Sequence, residues 1–175
     1  MSLALEKKEN LMRSIRIGKV VINAAVGKSG EPIEKAKRIL EEITGQRPAV
    51  RVAKKTIRDF GIHKGEPIAV IVTLRKEKAL NVLKRLLAAK GNRVKQASFD
   101  DHGNVSFGIR EHIDIPGIKY RPELGIIGMD VCIALERPGY RVARRKVMPC
   151  RIGKGQRVTK QEAVEFLRSL GVEVV

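Results

Sequence analysis

The chain has 175 residues with 36 Lys and Arg against 19 Asp and Glu, a formal charge of +17, and 43% apolar residues. That apolar content supports a buried core, which excludes a disordered basic tail, while the surplus charge calls for a polyanion, most simply nucleic acid. No apolar run approaches the roughly 20 residues that span a bilayer, and Glu6, Lys7, Lys8 and Glu9 stand where a signal peptide would be apolar, so a cytoplasmic protein with no membrane contact is expected.

Ser2 to Met12 reads as a short helix and Ile15 to Val26 as a strand, with Val20, Ile22 and Ala24 on one face and Lys19, Val21 and Asn23 on the other. Pro32 opens a helix whose stripe is Ile33, Ala36, Leu40 and Ile43, and Gly45 ends it. A second strand, Ala49 to Ala53, buries Val50 and Val52 and turns Arg51 outward. A third, Ile68 to Leu74, buries Ile68, Val70, Val72 and Leu74, with Ile71, Thr73 and Arg75 opposite. The next helix carries Leu80, Leu83, Leu86 and Leu87 and stops at Gly91. Asp101-His102-Gly103-Asn104 reads as a hairpin turn between Val94–Phe99 and Val105–Ile109, with Phe107 in the core. Met129 to Leu135 is a last strand, in whose apolar run Cys132 is expected as a buried thiol. The final helix opens on a capping box, Thr159 with Glu162, and Gly171 closes it.

These elements predict an α+β fold in one domain spanning residues 1–175, an antiparallel sheet with helices packed on one face and the other face open. That open face should show Lys19, Asn23, Arg51, Thr73 and Arg75, a cationic, amide-bearing and hydroxyl-bearing surface suited to an RNA helix. From Arg137 to Lys160 nine basic residues occur with no acidic one, punctuated by Pro and Gly. The run reads as an extended arm at about 137–160 that moulds to phosphates through Arg141, Arg144, Arg145, Lys146, Arg151 and Lys154. With no Trp and six Tyr and Phe, stacking platforms for single strands are scarce, which favours structured RNA read by shape, phosphate and 2′-hydroxyl contacts.

Catalytic patterns are poor. Gly27-Lys28-Ser29 lacks the Gly that a phosphate loop needs five residues earlier, where Ile22 stands, so Lys28 is at most a phosphate contact. His63, His102 and His112 are dispersed, and Cys132 and Cys150 have no CxxC partner, so no metal site is expected. Asp100 and Asp101 are adjacent and would point to opposite faces of an extended chain, the wrong arrangement for acid-base work. Neither an enzyme, a cofactor nor a small-molecule substrate is expected.

Five ordered blocks carry a family resemblance: Val21-Ile22-Asn23, Ile43 to Val50 (ITGQRPAV), Ala53 to Thr56 (AKKT), Pro67 to Arg75 (PIAVIVTLR) and Phe99 to Arg110 (FDDHGNVSFGIR). They span nearly the whole chain and resemble the ribosomal protein L-five family, the universal large-subunit proteins that bind 5S rRNA. The basic Pro/Gly-rich arm and late helix after Met129 look like its archaeal and eukaryotic branch. The resemblance implies a structural constituent of the large ribosomal subunit that helps attach 5S rRNA in the central protuberance. Asn23, Gln46 and Thr73 match family positions that contact 5S rRNA, the rRNA reading being preferred for Gln46 over an ordinary cap or turn residue after Gly45. Lys54, Lys55, Arg58, His63 and Lys64 fall in the family's loop that approaches peptidyl-site tRNA; Phe60 there either stacks on a nucleotide or pins the loop to the domain, and the pin is preferred. Glu111 to Gly128 matches the region that bridges to a small-subunit head protein. Large-subunit rRNA and neighbouring ribosomal proteins complete the implied partners. The alternatives are a free-standing structured-RNA-binding protein or RNA chaperone, which shares the charge, and an RNA-modifying enzyme using Asp100 or Asp101, which lacks a glycine-rich fingerprint.

Overall fold

The computed structural model describes residues 10–175. Five strands form one antiparallel sheet in the order β2-β3-β1-β6-β5: β1 (Arg16–Ala25), β2 (Ala49–Val52), β3 (Pro67–Leu74), β5 (Asn104–Ile109) and β6 (Met129–Glu136). Alternation decides which face is buried. Val20, Ile22 and Ala24 of β1 lie beside Val70, Val72 and Leu74 of β3 and Val131, Ile133 and Leu135 of β6, all at most 2% exposed. Two helices supply the matching stripes. From α1 (Glu31–Thr44) come Ile33, Ala36, Ile39, Leu40 and Ile43; from α2 (Lys76–Ala89) come Ala79, Val82, Leu83, Leu86 and Leu87. The result is the expected α+β fold, with one helix-covered face and one free face.

The helix ends follow their residues. α1 begins with Pro32 in its first turn and ends where Gly45 adopts φ 60°, its N–H bonding the Glu41 carbonyl at 2.7 Å. The last helix, α4 (Lys160–Ser169), opens on the full capping box: Thr159 N–H donates to Glu162 at 3.0 Å and Glu162 N–H to Thr159 Oγ1 at 3.4 Å. It buries Ala163 and Leu167, while Phe166 and Leu170 are half-buried.

Several expectations are corrected. β2 is an edge of the sheet, so Val50 and Val52 keep 37% and 55% exposure; Val50 pairs with Val70 on the helix side, and a bulge separates Val52 from that register. Ile68 and Leu80 are only half-buried. Val94 to Phe99 is not a hairpin arm. β4 (Arg93–Val94) instead runs parallel to β7 (Glu173–Val174), Gln96–Ser98 is a 3-10 turn, and only Phe99 bridges back to Val105. The turn itself forms as expected, closed by the Asp100 carboxylate, which accepts the N–H groups of His102 at 2.9 Å and Asn104 at 2.6 Å. Most of the predicted Ser2–Met12 helix lies outside the described residues; Leu11–Arg13 is a 3-10 turn.

The stretch from 137 to 160 is a folded loop rather than an extended arm. It contains one helical turn, α3 (Arg141–Arg144), and a 3-10 turn at Lys154–Gln156. Side chains that bond internally draw it back on the domain. Arg137, 6% exposed, pairs with Glu162 at 2.5 Å and donates to the Gly155 carbonyl at 3.1 Å. Tyr140 donates to the Gln156 carbonyl and accepts the Val158 N–H, and Gln156 Nε2 reaches the carbonyls of Met12 and Pro138. No described helix is long and apolar enough to cross a membrane.

Candidate nucleic-acid interface

Directly opposed residues in antiparallel strands share a face, so the register lays out the free surface row by row. One row runs Ala49, Ile71, Asn23, Asp130 and Gly108; the next Thr73, Val21, Cys132 and Ser106; a third Lys19, Ala134 and Asn104. Arg51 and Ala69 pair at the β2 edge. Lys19, Asn23, Thr73 and Arg51 therefore share this face, as the sequence predicts. Arg75 stands just past β3, as the exposed N-cap of α2, rather than inside the sheet.

Gln46 joins the same group through geometry that pattern reading missed. The left-handed turn at Gly45 swings it beside β3, where its Nε2 donates to the Thr73 carbonyl at 3.4 Å. Thr44 Oγ1 supports the turn, donating to the Leu40 carbonyl at 2.7 Å and accepting the Gln46 N–H at 3.3 Å. Gln46 is thus a neighbour of Thr73, which lies one row from Asn23 on the free face.

The face is less cationic than expected. Asp130 sits beside Asn23, and Cys132 is exposed on this face, not buried. Partial shelter by its neighbours, helped by the Asp130 charge, pushes the Cys132 thiol up. The signal was present: with Val131, Ile133 and Leu135 inward, strict alternation sends Asp130, Cys132 and Ala134 out. Small residues in the middle and cations at the rim make a shallow surface that a polyanion can approach closely.

Between β2 and β3 the chain makes a short projection, in which Ile57 bridges to Ile62 and Arg58–Phe60 is a 3-10 turn. Lys54, Lys55, Arg58, His63 and Lys64 are all exposed on it, and none pairs with an acid among the described residues. Glu66 tethers its base, accepting the His63 N–H at 3.0 Å and the Ser29 hydroxyl at 2.8 Å, bonds that hold its carboxyl below the ordinary range. Lys28 is exposed beside Ser29. Phe60 is 74% exposed, so it does not pin the loop.

In the folded 137–160 loop, Arg141, Arg144, Arg145, Lys146, Arg151 and Lys154 are all exposed. Arg144 pairs with Glu136 of β6, and Arg145 Nε donates to the Met148 carbonyl at 2.7 Å. Residues 111–128 pack inward through Ile115, Leu124 and His112. His112 Nδ1 accepts the Ile127 N–H at 3.4 Å, while Arg121 pairs with Glu42 and Arg85 donates to the Pro116 carbonyl at 3.0 Å. Among the described residues no group of three His, Cys, Asp or Glu side chains is placed to hold a metal ion.

Residues 10–63 match the family described as Ribosomal protein L5, and residues 67–170 match the ribosomal L5P family C-terminus. The chain is 56% identical over 168 residues to the large ribosomal subunit protein uL5 of Pyrobaculum aerophilum, covering 95% of this chain and 94% of that protein. It is 55% identical over 166 residues to the same-named protein of Aeropyrum pernix, covering 94% of this chain and 86% of that one. Against the Archaeoglobus fulgidus protein the identity is 51% over 176 residues, covering 99% and 98%.

Proposed function

Because the chain belongs to the ribosomal protein L5 family, a structural rather than catalytic family of the large ribosomal subunit, we propose that it grips 5S rRNA with the free face of its sheet and helps attach that RNA to the subunit. The observation that carries this reading is the cluster of Asn23, Gln46 and Thr73 on an uncovered sheet face rimmed by Lys19, Arg51 and Arg75. An amide and a hydroxyl at fixed spacing can read 2′-hydroxyls and base edges, while the rim cations neutralise phosphates without reading sequence. Asp130 beside Asn23 adds an acceptor for RNA donors and repels a misplaced phosphate.

The β2–β3 loop bearing Lys54, Lys55, Arg58, His63 and Lys64 presents exposed cations that pair with no acid among the described residues, which suits them to touching a tRNA backbone in the peptidyl site. Its exposed Phe60 is free to stack on a nucleotide. The 111–128 segment, held on the helix side by Arg85 and Arg121, would meet the small-subunit head protein, and the folded basic loop at 137–160 would lie on large-subunit rRNA. Family membership makes the protein ribosome-bound in the cytoplasm.

The test is a filter-binding titration against 5S rRNA with tRNA and random duplex as competitors. Asn23→Ala and Thr73→Val should weaken 5S rRNA alone. Lys54→Ala with Lys55→Ala should weaken all RNAs and flatten the salt slope by about one unit per lost phosphate contact. Equal losses for every RNA in both variant classes would refute the division of labour. A free-standing RNA chaperone would wash from large subunits in high salt, whereas this protein should co-sediment.

A further inference from the structure

A cleft of about 850 Å³ opens at the end of the sheet where β1 begins, between that strand, the N-terminus of α2, α3 and α4. Its floor is apolar, formed by Ile15, Ile17, Leu80 and Phe166, all half-buried. Its rim is basic and comes from three separate elements: Arg16 of β1, Arg75 and Lys76 at the start of α2, and Arg141 and Arg144 of α3. Among the described lining residues Glu77 and Glu136 oppose them, and Glu136, 14% exposed at its side chain, pairs with Arg144, which leaves Arg16, Arg75, Lys76 and Arg141 to face an anion.

Two further features concentrate on the same rim. The first turn of α2 has no side-chain cap, which leaves its N–H groups open to an anion. Lys76 is held at φ 57°, a conformation that side-chain-bearing residues adopt at a cost and that gathers at binding sites. An apolar floor with an aromatic ring suits a base, and cations on both sides suit the phosphates that flank it. The volume lies within the range of small-ligand sites. The protein's surplus of positive charge favours a polyanion over a peptide.

We propose that this cleft receives a single unstacked nucleotide of structured RNA, its base on the floor against Phe166 and its flanking phosphates on the rim. The inference rests on the reading of the chain as an RNA-binding protein and adds a site at the β1 end of the sheet, which shares Arg75 with the rim of the Asn23–Thr73 face.

The full chain is titrated with a short RNA duplex carrying one unpaired fluorescent purine and with the same duplex fully paired. The bulged duplex should bind about tenfold tighter, within the range of base-on-aromatic stacking, with its fluorescence quenched. Phe166→Leu, which keeps the apolar packing, and Arg16→Gln, on the exposed rim, should each remove most of the preference and leave paired-duplex affinity within about twofold, each with an unchanged thermal melt. Equal affinity for the two duplexes, or a preference that survives both substitutions, overturns the proposal. If neither duplex binds, the broader RNA-binding reading fails instead.

Discussion

Replacing Glu162 with Gln removes the counter-charge of Arg137 while preserving the oxygen that caps α4. Arg137 is 6% exposed and its Nε has no partner among the described residues, so the guanidinium depends on Glu162 and on the Gly155 carbonyl. Breaking a buried ion pair from one side costs about 3–5 kcal/mol. The Glu162 side chain keeps 35% exposure, and water screens part of that loss, so about 2–3 kcal/mol is expected. In a chain of this length that lowers the melting temperature by roughly 4–12 °C. Burial pushes the Glu162 carboxyl up, but the Thr159 N–H and the Arg137 charge outweigh it and hold the carboxyl below its ordinary range. Its contribution is therefore full above the unfolded glutamate pKa of about 4.3 and is lost as pH falls through the lower folded value. Urea unfolding followed by far-ultraviolet circular dichroism should show a lower midpoint at unchanged m at pH 7, and the gap from the parent protein should close in acid. Adding Arg137→Met should restore stability to within about 1 kcal/mol, since an apolar side chain needs no partner there. A loss under about 0.5 kcal/mol for Glu162→Gln, or two substitutions that simply add, would refute the clamp.

Burial pushes the His112 imidazole down, against the pull of Glu42 and Glu111. The fold thus favours the neutral ring, so amide protection in residues 111–128, taken relative to the intrinsic exchange rate, should fall as pH drops below about 6.5, and His112→Gln should flatten that dependence. Lys76→Gly relieves a left-handed residue at the head of α2 and should stabilise the protein by up to about 1 kcal/mol in the same urea assay. Phe60→Ala should leave the urea midpoint within about 0.5 kcal/mol of the parent, because the ring is 74% exposed, while weakening a tRNA titration; the reverse pattern would mean the ring supports the loop.

Period-two alternation carried the sheet: Val20, Ile22 and Ala24 name both the buried face and, by subtraction, the free one that holds Lys19 and Asn23. Helix ends were equally readable, since Gly45 and the Thr159–Glu162 pair act through local bonds alone. What stayed hidden depends on partners distant in the chain. Val50 and Val52 carry a strand pattern, but only the strand order reveals that β2 is an uncovered edge. Val94 looked like a hairpin arm because Val174, its true partner, is 80 residues away. Gln46 read as a turn residue until the fold set it beside Thr73. The basic loop seemed extended because its charges and Pro/Gly breaks are local, whereas Arg137 finds its acid 25 residues later.

The strand order also bears on how the chain matures. β1, first in sequence, lies at the centre of the sheet, and its neighbour β6 arrives 120 residues later, where Arg16 meets Glu136. Neither the 10–63 stretch nor the 67–170 stretch contains the whole sheet. During synthesis the leading strand must wait, half-partnered, until Glu136 has left the exit tunnel. Such long-range closure is slow. A nascent polypeptide carrying this much positive charge then sits incomplete among cellular RNA, and capture by the wrong polyanion competes with closing the sheet.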